Sequence, residues 1–417
     1  MNRFFSSRSY FNRLKFAFRA LKIRNFRLFF MGQTVSLLGV WIQNIALGWL
    51  VYRLTDSAFW LGVIGFAGQI PALFLTPFAG VFADRLNRRK VLIVTQTIPM
   101  FLAFVTGALV LTDAIEVWHI AVIASFSGIV IAFDNPFRHA FLLEMIGDKD
   151  LLQNSIALNS TLFNSARFIG PMVGGFLIAW VGEGLCFIIN GFSSLGVVLS
   201  LLVMRVAPTN LNREHGSVVS DLVEGAKYAF ASKPIRFLLM LVVTMGFFGL
   251  PFQVFMPVFA KDILGGGSQL LGFLTGAFGA GALTGAVYLA SQKGVYKLPK
   301  LIFITSVIFS LGLFSLSLST SIILSLLVLY ITGFGMIVQF ASSNTLIQTI
   351  VDDSKRGRVM ALYGMSFLGI TPLGSLLLGS ISGAIGVQIT LLVASLICLL
   401  GGIIYYPRIK VVAKAIG

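Results

Sequence analysis

Asp134, Arg138 and Arg167 are ionisable side chains inside strongly apolar runs. Asp134 comes just before Asn135-Pro136 and one helical turn before Arg138. A carboxylate that is alternately desolvated and paired shifts its affinity for a proton. Asp134 is therefore the candidate proton carrier, with Arg138 and Arg167 as competing cationic partners; the other reading is a static ion pair. Pro136 is expected to break its helix and turn polar backbone toward a cavity. Uncharged polar side chains punctuate similar runs: Gln43, Asn44, Gln69, Asn164, Gln253, Gln339 and Asn344, with Trp41 nearby. Each could bond to a neighbouring helix or line a cavity for a small molecule. Phe247, Phe248 and Phe252 could add an aromatic wall.

Enzymatic chemistry finds no support. There is no Gly-Lys dipeptide and so no Walker loop, no His-Glu-x-x-His and no Gly-x-Ser-x-Gly. The two cysteines, Cys186 and Cys398, are far apart and apolar in setting. No cofactor and no metal are expected.

The elements that must position these residues follow from composition. The 417 residues are 57% hydrophobic and 11% charged, against about 25% charged for a soluble domain. At about 20 residues per membrane helix, twelve spans fit. Apolar runs lie near 28–52, 59–82, 91–111, 117–138, 155–180, 184–204, 236–260, 269–290, 301–319, 322–343, 359–382 and 385–406. The net charge of +16 would mean nucleic acid for a soluble protein; in a membrane protein it reads as orientation by the positive-inside rule. With both termini placed inside, all of the 31 basic residues except Arg53, Arg167 and Lys261 fall on that side. The expected organisation is a basic amphipathic segment 1–24, a six-helix bundle 25–206, a cytoplasmic linker 207–235, a second bundle 236–406 and a cytoplasmic tail 407–417. The segment 1–24 carries Phe4, Phe11, Leu14, Phe18 and Leu21 on one face, as an interfacial helix on an anionic leaflet would.

An internal repeat supports the division. Residues 142–182 align without gaps to 346–386 at an offset of 204. Ile146, Asp148, Ala157, Leu158, Gly170, Gly175 and Gly182 match Ile350, Asp352, Ala361, Leu362, Gly374, Gly379 and Gly386. Two pseudo-symmetric six-helix bundles, all α, are the expected fold.

Two motifs carry more than topology. One runs Gly80-Val-Phe-Ala-Asp84-Arg85-Leu-Asn87-Arg88-Arg89-Lys90. Gly80 would allow close helix approach, Asp84 could sit at a helix N-terminus, and the arginines could bridge to neighbouring helix ends. The other is Gly170-Pro171-Met-Val-Gly174-Gly175, where proline bends and glycines pack a helix. The Gly80–Lys90 motif resembles the loop signature of the major facilitator superfamily, Gly-x-x-x-Asp-Arg-x-x-Arg-Arg/Lys, with Asn87 in place of a glycine. The Gly170–Gly175 motif resembles the antiporter motif of that superfamily's drug exporters; its counterpart in the C-terminal half has Ser375 for Pro171. The runs around Asn159 to Pro171, Arg24 to Gln33, Trp49 to Ser57 and Asp352 to Val359 resemble the branch containing the enterobactin exporter and macrolide efflux proteins. The Arg-x-x-x-Gly motif that related exporters carry in helix four is not evident.

The resemblance implies a secondary transporter exporting an amphipathic siderophore or drug-like molecule by alternating access, with proton antiport. Gly80, Asp84, Arg85, Arg88 and Arg89 would form a gating loop. A lysophospholipid flippase, or solute uptake on the same scaffold, is the alternative. Expected partners are a small-molecule substrate, protons and membrane lipids, not nucleic acid. The chain is expected to act as a monomer in a bacterial inner membrane.

Overall fold

A computed structural model of the chain describes residues 18–83, 85–146, 149–205, 218–292 and 294–416. Asp84 and most of the basic leader therefore lie outside the described residues. Among those described there are helices and no strands. The first four spans are α1 Arg24–Thr55, α2 Ala58–Ala83, α3 Arg88–Leu111 and α4 Val117–Ile146. Asn87 starts α3 by accepting the Lys90 backbone N–H at 3.0 Å, a side-chain cap on a helix end that would otherwise leave its first donors unpaired.

A single helical run, Lys149–Val203, follows. At 1.5 Å per residue it would be about 80 Å long, far beyond the roughly 30 Å hydrocarbon core. It turns at Gly182, whose φ of 78° and ψ of 169° are open essentially to glycine alone. The run is thus two spans, α5 (149–181) and α6 (183–203). The C-terminal half has α7 Lys233–Ile263, α8 Ser268–Ser291, α9 Leu298–Leu318, α10 Ile322–Ile350, α11 Arg356–Ile385 and α12 Val387–Lys414. The turn between α11 and α12 is Gly386, with φ 83° and ψ 155°. Gly182 and Gly386 are repeat partners at the offset of 204, and they share one backbone conformation.

The twelve spans form two six-helix bundles. With an even number of spans, the described ends of the chain share one end of the molecule, the terminus end; the opposite one is the far end. A larger apolar core joins both halves, with Ile45, Leu50 and Ile64 from the first and Met256, Leu274 and Phe278 from the second. A smaller core at the terminus end stays within the first half, built on Phe26, Leu92, Phe137, Phe141 and Leu201.

Two sequence expectations change here. The α4 helix runs unbroken through Pro136, because a packed bundle tolerates the lost donor. Irregular backbone appears instead in the C-terminal half, where α7 has a π-turn at Met245–Gly249 before Pro251 and α11 has one at Met365–Gly369 before Pro372. Widening a turn by one residue accommodates a proline that cannot donate. The two π-turns pack together: a Cβ on Gly246 would lie 2.9 Å from the Ser366 carbonyl oxygen, and the Thr371 hydroxyl donates to the Gly246 carbonyl at 3.1 Å.

Replacing Gly182 or Gly386 with alanine forces a side chain into that backbone region. Each substitution should lower stability by about 1–3 kcal/mol, read as a reduced Tm of the detergent-solubilised protein. Gly383→Ala, at a position with open space and no positive φ, should leave it unchanged.

Candidate functional site

Asp134 is buried, at 6% exposure, and both of its oxygens are occupied. Oδ1 accepts from the Thr95 hydroxyl at 2.9 Å and the Gln96 amide at 2.6 Å, both on α3. Oδ2 accepts from Arg138 Nε at 2.9 Å and from Arg138 Nη2. The pair spans one turn of α4 across Pro136. Burying a carboxyl group is costly unless its oxygens are bonded in this way. Of the two competing cations, Arg138 is the partner; its guanidinium also lies 5.9 Å from the Phe163 ring centre on α5. Thr95 and Gln96 are partners of Asp134 that the sequence reading missed; the signal was a polar pair inside an otherwise apolar third span. Arg167 stands apart, its guanidinium 5.8 Å from the Trp41 ring centre on α1.

The glycine-proline motif of α5 serves two faces. Gly170 and Gly174 meet α1 at Trp41 and Ile42. Pro171 and Gly175 meet α8 in the other half: a Cβ on Gly175 would lie 2.5 Å from the Ser268 carbonyl oxygen, and one on Gly272 would lie 2.7 Å from the Pro171 carbonyl oxygen. The Ser268 hydroxyl donates to the Gly175 carbonyl at 3.2 Å. The other crossing mirrors this one. A Cβ on Gly62 of α2 would lie 2.5 Å from the Ser375 carbonyl oxygen and 3.1 Å from Gly379 Cα of α11.

Polar contacts complete the far-end closure. The Tyr52 hydroxyl donates to Asp262, Lys261 pairs with Asp56, and the Lys261 ammonium lies 5.3 Å from the Tyr52 ring centre. These bonds join the end of α1 to the end of α7. Arg53 pairs with Glu183 at 2.8 Å within the first half. Sequence spacing pointed to none of Asp56, Asp262 and Glu183, because partners far apart in the chain leave no mark on it.

At the terminus end the arginines beyond α2 bond within their own half. Arg88 donates to Glu144 at 2.5 Å and to the Ala83 carbonyl at 2.8 Å. Arg89 donates to the Leu201 and Leu202 carbonyls, both at 2.7 Å, at the end of α6; the bridging to helix ends expected of these arginines is present. Arg85 is exposed. Gly80 differs from expectation: a Cβ there would meet nothing within 4 Å, nor would one on Gly364 of α11. Thus α2 and α11, in tight contact at Gly62 and Gly379, splay apart toward the terminus end. The linker helix Val218–Ala231 docks on the C-terminal half, with Glu224 bound to Lys355 and, at 2.6 Å, to Arg358; it also reaches the end of α2.

Toward the terminus end, exposed polar side chains of facing helices mark a crevice between the halves, although Leu73 of α2 still meets Gly369 of α11 there. Asn44 lies one turn toward the terminus end from Gly48, whose Cβ would touch Pro257 at 3.5 Å. Gln253 lies one turn from Pro257, and Gln69 one turn from Gly65, which adjoins Val254. All three are exposed. Asn164 donates to the Ser160 carbonyl at 2.8 Å, one turn from Arg167. Others are turned elsewhere. Gln43 accepts from Asn190 at 2.6 Å inside the first bundle. Gln339 is buried with neither amide atom bonded. Asn344 accepts from Gln348 at 2.6 Å.

Removing the far-end bonds with Tyr52→Phe and Lys261→Ala together should raise labelling of an introduced Ser268→Cys by a water-soluble maleimide, against negligible labelling in the parent. At the terminus end, the hydrogen bond from Lys355 holds the Glu224 carboxyl below its usual range. Its contribution to docking is therefore complete above the ordinary carboxylate pKa and fades as pH falls through the lowered one. Hydrogen exchange of 218–231 should quicken only as pH falls below the ordinary glutamate pKa of about 4.3, and Glu224→Gln should quicken it at neutral pH.

Residues 16–415 match the family described as transmembrane secretion effector. The chain is 24% identical to the staphyloferrin A transporter of Staphylococcus aureus, over 87% of this chain and 90% of that one. It is 26% identical to the multidrug efflux pump Tap of Mycolicibacterium fortuitum, over 88% and 92%. Among solved structures, a bacterial homologue of the human lysosomal transporter Spinster superposes with a TM-score of 0.71 at 13% identity, covering 94% of this chain and 98% of that one. A bacterial homologue of the iron transporter ferroportin superposes with a TM-score of 0.68 at 14% identity, covering 93% and 99%. With its paired six-helix bundles, the chain belongs to the transmembrane secretion effector family of the major facilitator superfamily; it is an integral membrane efflux transporter and not an enzyme.

Proposed function

We propose that this transporter exports an amphipathic small molecule, siderophore or drug-like, from the cytoplasm across a bacterial plasma membrane, in exchange for protons. The observation that carries the reading is the contrast between the ends. The halves interlock at the far end through two glycine crossings and a polar clasp, while α2 and α11 separate toward the other end. A single crevice closed at one side is half of an alternating-access cycle. The described basic residues gather mostly at the crevice-open end, which by the positive-inside rule supports a cytoplasmic location for that end and both termini. The bundles are assigned to 25–206 and 236–406, with 207–235 as the cytoplasmic linker. Names of relatives, one for staphyloferrin A and one for multidrug efflux, favour export of amphipathic molecules.

In the opposite state the crevice end closes. Gly80 then gains the neighbour it lacks here, and the loop of Asp84, Arg85, Arg88 and Arg89 acts as the latch. Asp134 carries the proton. Thr95, Gln96 and Arg138 occupy both of its oxygens here; rocking of the bundles exchanges these partners for a proton. Asp134→Asn tests this in proteoliposomes loaded with a panel of amphipathic drugs and siderophores. Gradient-driven efflux should fall to the rate seen without a pH gradient, while exchange at equal substrate concentrations persists. Retained gradient-driven efflux in the variant would put the coupling on another residue.

A further inference from the structure

Among the described residues Arg167 has no counter-charge. Of the 15 acidic residues, all but Asp134 fall at span ends or in loops, and both oxygens of Asp134 are already taken by Thr95, Gln96 and Arg138. Among the described residues no hydrogen bond or ion pair involves the Arg167 guanidinium, which lies beside the Trp41 ring. A guanidinium held mid-span without a partner is costly and marks a functional position.

The helix geometry shows what this cation faces. On α5, Ile169, Val173, Phe176 and Trp180 are exposed, at 46, 39, 39 and 80%. At 100° per residue they form one narrow apolar stripe, which is the lipid face. Ser160, Phe163, Asn164 and Arg167 lie on the opposite side of the same helix. Ser160 is exposed, Phe163 is 36% exposed, and Asn164 and Arg167 are half-buried. That stripe cannot face lipid, so it borders the crevice. Arg167 stands at the level where the backbones of the two halves meet: a Cβ on Gly279 of α8 would lie 2.8 Å from the Arg167 carbonyl oxygen and 3.0 Å from Phe168 Cα.

We propose that Arg167 anchors an anionic group, carboxylate or phosphate, on the transported molecule, with Trp41 packing against the apolar body beside it. This rests on the crevice being the substrate site and names the substrate class as amphipathic organic anions. A planar guanidinium presents paired donors that match a carboxylate or phosphate edge to edge. The ligand's charge then supplies the counter-ion that the protein omits. The indole face next to it suits an apolar or aromatic body. Asn164 lies one turn toward the opening, on the path such a molecule would take.

The test is equilibrium binding to the full chain in nanodiscs, with no gradient, so its outcome is independent of transport direction and of proton coupling. The probes are radiolabelled citrate and salicylate, with salicylamide as the neutral twin. Saturable binding of either carboxylate is expected, with salicylamide binding at least about tenfold more weakly than salicylate, and Arg167→Gln should weaken the carboxylate by about tenfold or more. Arg167→Lys, which keeps the charge and loses the fork, should fall between. Size-exclusion profiles must match wild type, which separates loss of the anchor from loss of the fold. Displacement by a single-chain anionic phospholipid would show that the anion comes from the leaflet; displacement by soluble carboxylates alone would show that it comes from water. Either source agrees with the proposal. Absence of saturable carboxylate binding to wild type, unchanged affinity in Arg167→Gln, or equal binding of salicylamide would each overturn it.

Discussion

Lipid tails are as apolar as leucine, so no hydrophobic force drives one membrane helix onto another. What holds this molecule's halves together is close approach of backbone to backbone. At Gly175 against Gly272, and at Gly62 against Gly379, a single added carbon would collide with the opposite main chain. These two crossings fix the distance between the bundles at one end and so define where the crevice stops. The clasp of Tyr52, Asp56, Lys261 and Asp262 sits at the same end. Surface ion pairs of this kind add little on their own. Their role is to select one docking of surfaces that the glycines already allow.

Asp134, inside its span, is bonded more completely than the charges at the helix ends. Asp134 is surrounded by donors from two helices, while the loop arginines spend their hydrogen bonds on carbonyls left open where helices finish, as Arg89 does on α6. Arg88 and Glu144 tie α3 to α4, and Glu224 ties the linker helix to the start of α11. Each half thus has its own bonds at the crevice-open end, and the linker helix reaches across to α2. That leaves relative motion of the bundles as the soft coordinate.

The architecture was legible in the sequence because its signals are local or periodic. Apolar run lengths marked the spans, and the 204-residue offset paired Gly182 with Gly386, which share a backbone conformation in the folded chain. The glycine-proline motif of α5 was readable as a packing surface, though not its division between α1 and α8. Site partners were less legible. Thr95 and Gln96 reach Asp134 from another span, and Asp262 meets Tyr52 across more than two hundred residues; no local spacing encodes such meetings. Pro136 misled because a proline's effect depends on its packing, and Gly80 because the neighbour it implies is not present when the halves are apart at that end.

The paired π-turns of α7 and α11 make the two bundles mechanically unequal. Both lie in the C-terminal half, stacked against each other at Gly246 and Ser366. Bending a regular helix means breaking one of its i to i−4 bonds; where that ladder is already offset, a hinge costs less. The corresponding helices of the first half, α1 and α5, run without such offsets through their packed regions. In the proposed alternating-access cycle the motion would then be lopsided, one bundle swinging as a rigid lever while the other flexes at a built-in elbow.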